Sequence, residues 1–132
     1  PKRTVYENVA FALRVMHYSR SRIRRQVTQV LELVGLQEKL HHLPSELSGG
    51  EQQRVAIARA IVTDPLVVLA DEPTGALDSE NAENIMKIFA DLKSPERAVC
   101  LVTHDMEIAD ATDRRVSMKD GEIVEDISRE ER

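Results

Sequence analysis

Asp71 and Glu72 stand side by side at the end of the apolar run Leu66-Val67-Val68-Leu69-Ala70. An unbroken apolar run of that length has the form of a strand buried on both faces, and the carboxyl end of such a strand is where open α/β sheets bind ligands. An aspartate there can hold Mg²⁺, directly or through water, and a neighbouring glutamate can polarise a water for attack on a phosphoryl group. Upstream, Ser48-Gly49-Gly50-Glu51 has the form of a capping box whose two middle positions lack side chains. The free N–H groups at a helix start attract anions, the glycines let a bulky phosphate approach the backbone, and Ser48 adds a hydroxyl donor. A second apolar segment ends in Leu101-Val102-Thr103-His104-Asp105, which brings His104 to a sheet edge, within reach of a terminal phosphate. Each string alone also fits a plain structural account: a capped helix, an acidic turn before Pro73, an incidental histidine. In series they point to phosphate handling.

The elements that must position these residues follow from periodicity. Thr4-Val5-Tyr6-Glu7 is another capping-box form, and Val5, Val9, Leu13 and Val15-Met16 supply a helical stripe after it. A second helix is expected from about Ser21, with Ile23, Val27, Val30, Leu31 and Val34 on one side and Gly35 as its C-terminal cap. Ser48 to Glu51 opens a helix reaching about Thr63, stopped by Pro65. Then come the strand at Leu66–Ala70, a helix from Ser79 to Leu92, a strand from Ala98 to Val102 and a short helix after His104. Arg115–Lys119 and Glu122–Glu125 form a hairpin around a type I′ turn at Asp120-Gly121. Helices first, then alternating strands and helices, describe an α/β domain with a helical portion at its front.

Composition narrows the function classes. With 42% apolar residues, 132 residues suffice for a core without disulfides or metal staples. The single cysteine, Cys100, excludes an internal disulfide, fits a reducing compartment and is expected in the core of its strand. No apolar run approaches the ~20 residues that span a bilayer, and no secretory leader is visible, so a cytosolic setting is expected. The start at Pro1-Lys2-Arg3 reads as that of a cut or processed piece. His17, His41 and His42 have no partners at metal-ligand spacing and are expected at the surface. Residues 1–30 carry seven basic and one acidic side chain, whereas residues 71–132 carry eight and seventeen. The basic cluster Arg20, Arg22, Arg24 and Arg25 suits a solvated helix face, an acidic partner or anionic lipid. Two Tyr, two Phe and no Trp leave little aromatic surface for stacking bases, so nucleic acid is not expected as a partner.

The strings Leu47 to Arg54, Leu69 to Asp78 and Val102 to Asp105, in this order, resemble the ATPase subunit of ABC transporters, and the likeness covers essentially the whole chain. It implies a P-loop NTPase-like α/β fold, present as a partial domain. A helical subdomain would span about 1–63 and include the signature helix. A catalytic-core portion would span about 64–132, with a mostly parallel sheet and a C-terminal hairpin. The implied ligands are ATP and Mg²⁺. By this resemblance Leu47, Ser48, Gly49, Gly50, Glu51 and Gln52 form the signature, which binds the γ-phosphate of an ATP held mainly by the other subunit of a dimer. Asp71 would organise Mg²⁺, Glu72 would be the catalytic carboxylate, Ala76-Leu77-Asp78 would lie in the D-loop at the nucleotide, and His104 would be the switch histidine. The implied partners are a second ATPase subunit in a homodimer and an integral membrane protein, which would hold the chain at the inner face of the plasma membrane.

Within that family, Asp71 to Gly75 and Leu47 to Arg54 are similar to a branch serving cell division, lipoprotein release and macrolide export. Arg3 to Leu13 is most similar to the cell-division members, while Gly75-Ala76-Leu77-Asp78 is nearer the macrolide or peptide exporters. Soluble DNA-repair ATPases carry a similar signature, but Thr74-Gly75 and Gln52-Gln53-Arg54 look like transporters. None of the five glycines begins a G-x-x-x-x-G-K-[ST] loop, so the backbone cradle, lysine and hydroxyl that such a loop provides are missing. The family's adenine-stacking aromatic and Q-loop glutamine are missing as well. The isolated chain is therefore expected to be inactive as an ATPase, with sheet edges and apolar surface beside Leu66–Ala70 left open. A reading of another class is a non-catalytic module that supplies only the signature half of a composite site.

Overall fold

The computed structural model describes residues 2–131; Pro1, the first residue of the opening Pro1-Lys2-Arg3, lies outside them, as does Arg132. Thr4 starts helix α1 (Val5–Val15) by satisfying N–H groups that the first turn leaves unpaired. Its Oγ1 accepts from the Glu7 N–H at 3.2 Å, and its own N–H donates to Glu7 Oε2 at 2.8 Å. Val5, Val9, Ala10 and Leu13 form the buried stripe. Val15 and Met16 leave it and are exposed. Val15 lies six residues beyond Val9, about 240° round the helix, so it cannot share that face.

Helix α2 (Arg20–Leu33) is capped by Ser19 and buries Ile23, Val27 and Leu31, with Val34 behind them and Val30 at the margin. Gly35 follows in the left-handed region at φ 70°, the conformation in which glycine carries no Cβ penalty. Two short 3₁₀ turns, Gln37–Lys39 and Pro44–Glu46, lead to α3 (Gly49–Ile61). The helix ends two residues before the expected Thr63; Asp64, at φ 55°, reverses the chain ahead of Pro65. Val55, Ile57, Ala58 and Ile61 are buried, and α3 packs against α1, α2 and α4 in the shared core.

Strands β1 (Val67–Asp71) and β2 (Ala98–Val102) pair in parallel, from Val67 opposite Ala98 to Asp71 opposite Val102. Helix α4 (Ser79–Leu92) makes the crossover and buries Ile85, Ile88, Phe89 and Leu92. Side chains alternate across a strand. Val68 is therefore buried and Ala70, Val99 and Leu101 pack against the core, whereas Val67 and Leu69 point outward, Leu69 with 76% of its surface exposed; Leu66, just ahead of the strand, is exposed as well. This corrects the expectation of a strand buried on both faces. Cys100, which lies opposite Leu69, is likewise exposed rather than in the core. The open apolar surface expected beside Leu66–Ala70 is present.

Helix α5 (Met106–Asp110) leads to a separate antiparallel hairpin, β3 (Arg114–Lys119) and β4 (Glu122–Ser128). Asp120 at φ 52° and Gly121 at φ 82° give the positive φ pair of a type I′ turn. A bulge between Ser117 and Met118 breaks the register, and Arg114–Asp126 and Arg115–Glu125 ion pairs bridge the strands. Among the described residues, no helix is long and apolar enough to cross a membrane.

Candidate functional site

The carboxyl ends of β1 and β2 meet at Glu72. Its N–H donates to the Val102 carbonyl at 2.8 Å, which extends the parallel ladder one residue beyond Asp71. Glu72 itself sits at φ 46°, a conformation that costs a non-glycine residue of order 1 kcal/mol or more and that clusters at functional sites. The turn beyond it is closed by Gly75 N–H to the Glu72 carbonyl at 3.2 Å and Leu77 N–H to the Thr74 carbonyl at 3.0 Å, with Thr74 buried.

This backbone path aims the Glu72 side chain at the end of β2. Glu72 Oε1 accepts the His104 backbone N–H at 2.8 Å and lies 2.7 Å from His104 Nδ1; Thr103 Oγ1 donates to Oε2 at 3.3 Å. The His104 contact, first through its ring and then through its N–H, holds the Glu72 carboxyl below the usual carboxylate range. An ionised carboxylate only accepts, so Nδ1 carries the hydrogen and a neutral ring presents a bare Nε2. The ring is largely exposed, so Nε2 is open to a ligand. Asp71 is exposed at the strand end, and its carboxylate has no hydrogen-bond or ion-pair partner among the described residues. No group of three His, Cys, Asp or Glu capable of holding a metal is present among those residues. A single unpaired carboxylate fits Mg²⁺ that keeps waters and shares phosphate oxygens, and does not fit an all-protein cage.

A second group forms where α3 and α4 begin. Ser48 Oγ accepts the Glu51 N–H at 3.2 Å, and Glu51 Oε2 accepts the Ser48 N–H at 2.9 Å. The Ser48 N–H is the main cause holding the Glu51 carboxyl below its usual range. The Gly49 and Gly50 N–H groups have no partner among the described residues, as expected for the first turn of a helix. Leu47 is buried, and Gln52 Nε2 donates back to the Pro44 carbonyl at 2.9 Å. Space around Gly49 is open, but a Cβ on Gly50 would overlap the side-chain oxygen of Asn81. Asn81 is held in turn by Asp78, which caps α4 by accepting the Asn81 N–H at 2.8 Å and the Asn81 side-chain amide at 3.0 Å.

The structure thus joins the start of α3 to Asp78 through Gly50 and Asn81, and joins Glu72 to His104 and Thr103. No hydrogen bond or ion pair links the two groups among the described residues. Sequence reasoning did not single out Asn81. Its cap spacing from Asp78 was visible, but its contact with Gly50 spans two helices that no local pattern relates. Thr103 stood in the strand-end string without an assigned role. His17 and His41 are exposed as expected, and His42 is half-buried.

A family profile described as ABC transporter matches residues 1–75. The chain belongs to the ABC transporter family. It is 46% identical over 132 residues to the cell division ATP-binding protein FtsE of Streptococcus pneumoniae serotype 2, covering 99% of this chain and 57% of that protein. It is 54% identical over 103 residues to the macrolide export ATP-binding/permease protein MacB of Chlorobium phaeobacteroides, covering 78% of this chain and 16% of that protein. Among solved structures, the dimeric bacterial ABC transporter cassette MJ0796 matches with a TM-score of 0.80 and 38% identity, over 96% of this chain and 57% of that one. These likenesses bear out the family resemblance and the α/β ABC ATPase fold. The chain spans little more than half the length of the FtsE relatives it matches.

Proposed function

We propose that this chain supplies the carboxylate, histidine and signature parts of an ABC-type ATP-hydrolysing site. The observation that carries the reading is the Glu72 carboxylate, fixed at the junction of two parallel strand ends by His104. Glu72 would orient the attacking water and His104, once its ring turns away from Glu72, would donate its ring N–H to the γ-phosphate, with Asp71 holding Mg²⁺, which would neutralise charge on the phosphates. Glu72 held by His104 is a weakened base, and release of that contact as the histidine turns would strengthen it. The N–H groups of Gly49 and Gly50, with Ser48, would receive the γ-phosphate of an ATP held mainly by a second subunit, and Asp78 would sit at the same dimer interface. The first 63 residues would act as the helical subdomain and residues 64–132 as part of the catalytic core.

The whole protein would hydrolyse ATP as a homodimer and drive an integral membrane partner at the inner face of the plasma membrane. Similarity to FtsE along 99% of the chain favours a role in cell division, with FtsX as the partner and control of septal cell-wall hydrolysis as the output. The 54% identity to MacB supports a second reading, an exporter or lipoprotein-release ATPase. Because the chain has no G-x-x-x-x-G-K-[ST] loop, the 132 residues alone should show no ATP turnover. Added to a full-length FtsE-type ATPase, they should raise its turnover or nucleotide affinity, and Gly49→Asp, which places an anion at the phosphate-binding helix start, should abolish the effect. Mg-dependent turnover by the chain alone, abolished by Glu72→Gln, would contradict the half-site assignment. No effect on the full-length ATPase would contradict the trans role of the signature.

A further inference from the structure

Helix α3 carries Ser48–Gly50 at its start and β1 carries Asp71 and Glu72 at its end, so residues 62–66, which join α3 to β1, set the angle between the two groups. Asp64 in this junction lies in the left-handed region at φ 55°, and its N–H donates to the Ile61 carbonyl at 2.9 Å. A non-glycine residue keeps that conformation only where its surroundings over-determine it. Beside the junction opens a recess of about 340 Å³, walled by Val30 and Leu33 of α2, Ile61 of α3 and Leu92 of α4. The carboxyl ends of three helices thus converge around a gap, where apolar packing is incomplete and the helix dipoles place partial negative charge together.

Arg97, the residue before β2, supplies a cation at this point. Its guanidinium pairs with the Asp64 carboxylate, Nε donates to the Pro65 carbonyl at 3.0 Å, and Nη1 reaches the Leu92 carbonyl at 3.5 Å. The Arg97 backbone is itself tied to the turn after α4, donating to the Ser94 carbonyl at 3.1 Å. Its side chain is 20% exposed against 79% for Asp64, so the guanidinium is the fixed end of the ion pair. From the opposite side, Gln26 Nε2 of α2 donates to the Val62 carbonyl at 3.2 Å. A planar guanidinium can address a carboxylate and two carbonyls at once, which an ammonium in the same place does not. The starts of α3 and α4 meet where Gly50 faces Asn81; Arg97 joins their other ends.

We propose that Arg97 is a positioning residue that latches the α3–β1 junction to the end of α4, and so sets the direction in which α3 presents Ser48–Gly50 relative to Glu72. Its consequence for turnover rests on the ATP-site reading, whereas the latch is a matter of geometry alone. Amide residual dipolar couplings of the 132-residue chain test the latch. In the wild type, α3 should share one alignment frame with β1, β2 and α4. In Arg97→Gln and Arg97→Lys, α3 should depart from that frame, while Asp64→Asn, whose side-chain oxygen still accepts, should keep it. A reading that does not depend on how the variants fold is the wild-type Arg97 Nε–H, which should give one resolved resonance protected from solvent exchange. A freely exchanging Nε–H would overturn the latch, as would an undisturbed frame in both Arg97 variants. Added to a full-length FtsE-type ATPase, Arg97→Lys should lose most of the stimulation given by the wild-type chain, although every signature residue is intact. Full stimulation by a variant whose α3 has turned would overturn the positioning role. Absence of stimulation by the wild-type chain would instead contradict the ATP-site reading, and the alignment frames would still decide the latch.

Discussion

His104 Nδ1 lies 2.7 Å from Glu72 Oε1, and the His104 backbone N–H reaches the same oxygen at 2.8 Å. One residue at the end of β2 thus addresses a single carboxylate oxygen at the end of β1 twice. This double contact lowers the pKa of Glu72 more than the Thr103 hydroxyl does.

Replacing His104 by Ala should raise the Glu72 pKa towards the ordinary 4.5, while Thr103→Val raises it less. Carboxyl-carbon NMR titration of the two variants checks the order. The folded-state value is the lowered one, so the contact contributes stability above 4.5 and loses it as pH falls through the folded value. The stability gap between wild type and His104→Ala should therefore be widest near neutrality and close in acid.

Gly50→Ala should cost about 1–3 kcal/mol, because its Cβ meets Asn81, whose amide is already tied to Asp78. Gly49→Ala, with open space around it, should be neutral or slightly stabilising. Urea unfolding of the two variants separates them, and Asn81→Ala should recover much of the Gly50→Ala loss.

Ser48→Ala and Asp78→Ala each remove a helix cap and should each cost about 1 kcal/mol. Ser48→Asp should retain most of the stability, since an aspartate oxygen can accept the same Glu51 N–H. Thermal denaturation reads all three.

Leu69→Ser should leave stability within about 0.5 kcal/mol of wild type, since Leu69 is 76% exposed. Ile85→Ala should cost about 2–5 kcal/mol, since Ile85 is 1% exposed. Leu69→Ser should also bind less of a hydrophobic dye and aggregate less, because it breaks the exposed apolar face that Leu69 shares with Val67.

Thr4 with Glu7, Ser48 with Glu51 and Gly35 were legible as helix boundaries, because a cap is a contract between residues a turn apart. The Asp120-Gly121 turn was legible for the same local reason, and its bulge at Ser117 was not, since a bulge depends on both strands. The identity of Asp71, Glu72 and His104 as site candidates came from their places at strand ends. Apolar runs left the burial of β1 undetermined: Leu69 and Val68 are both hydrophobic neighbours, and which one meets the core depends on the face that α4 covers. Cys100 was misplaced on that account.

Local chemistry along the chain was therefore enough to set caps, turns, strand ends and the family. It could not set the Glu72–His104 contact or the Gly50–Asn81 packing. Those join residues 32 and 31 positions apart, and their distances depend on parallel pairing of β1 with β2 and on how α3 lies against α4.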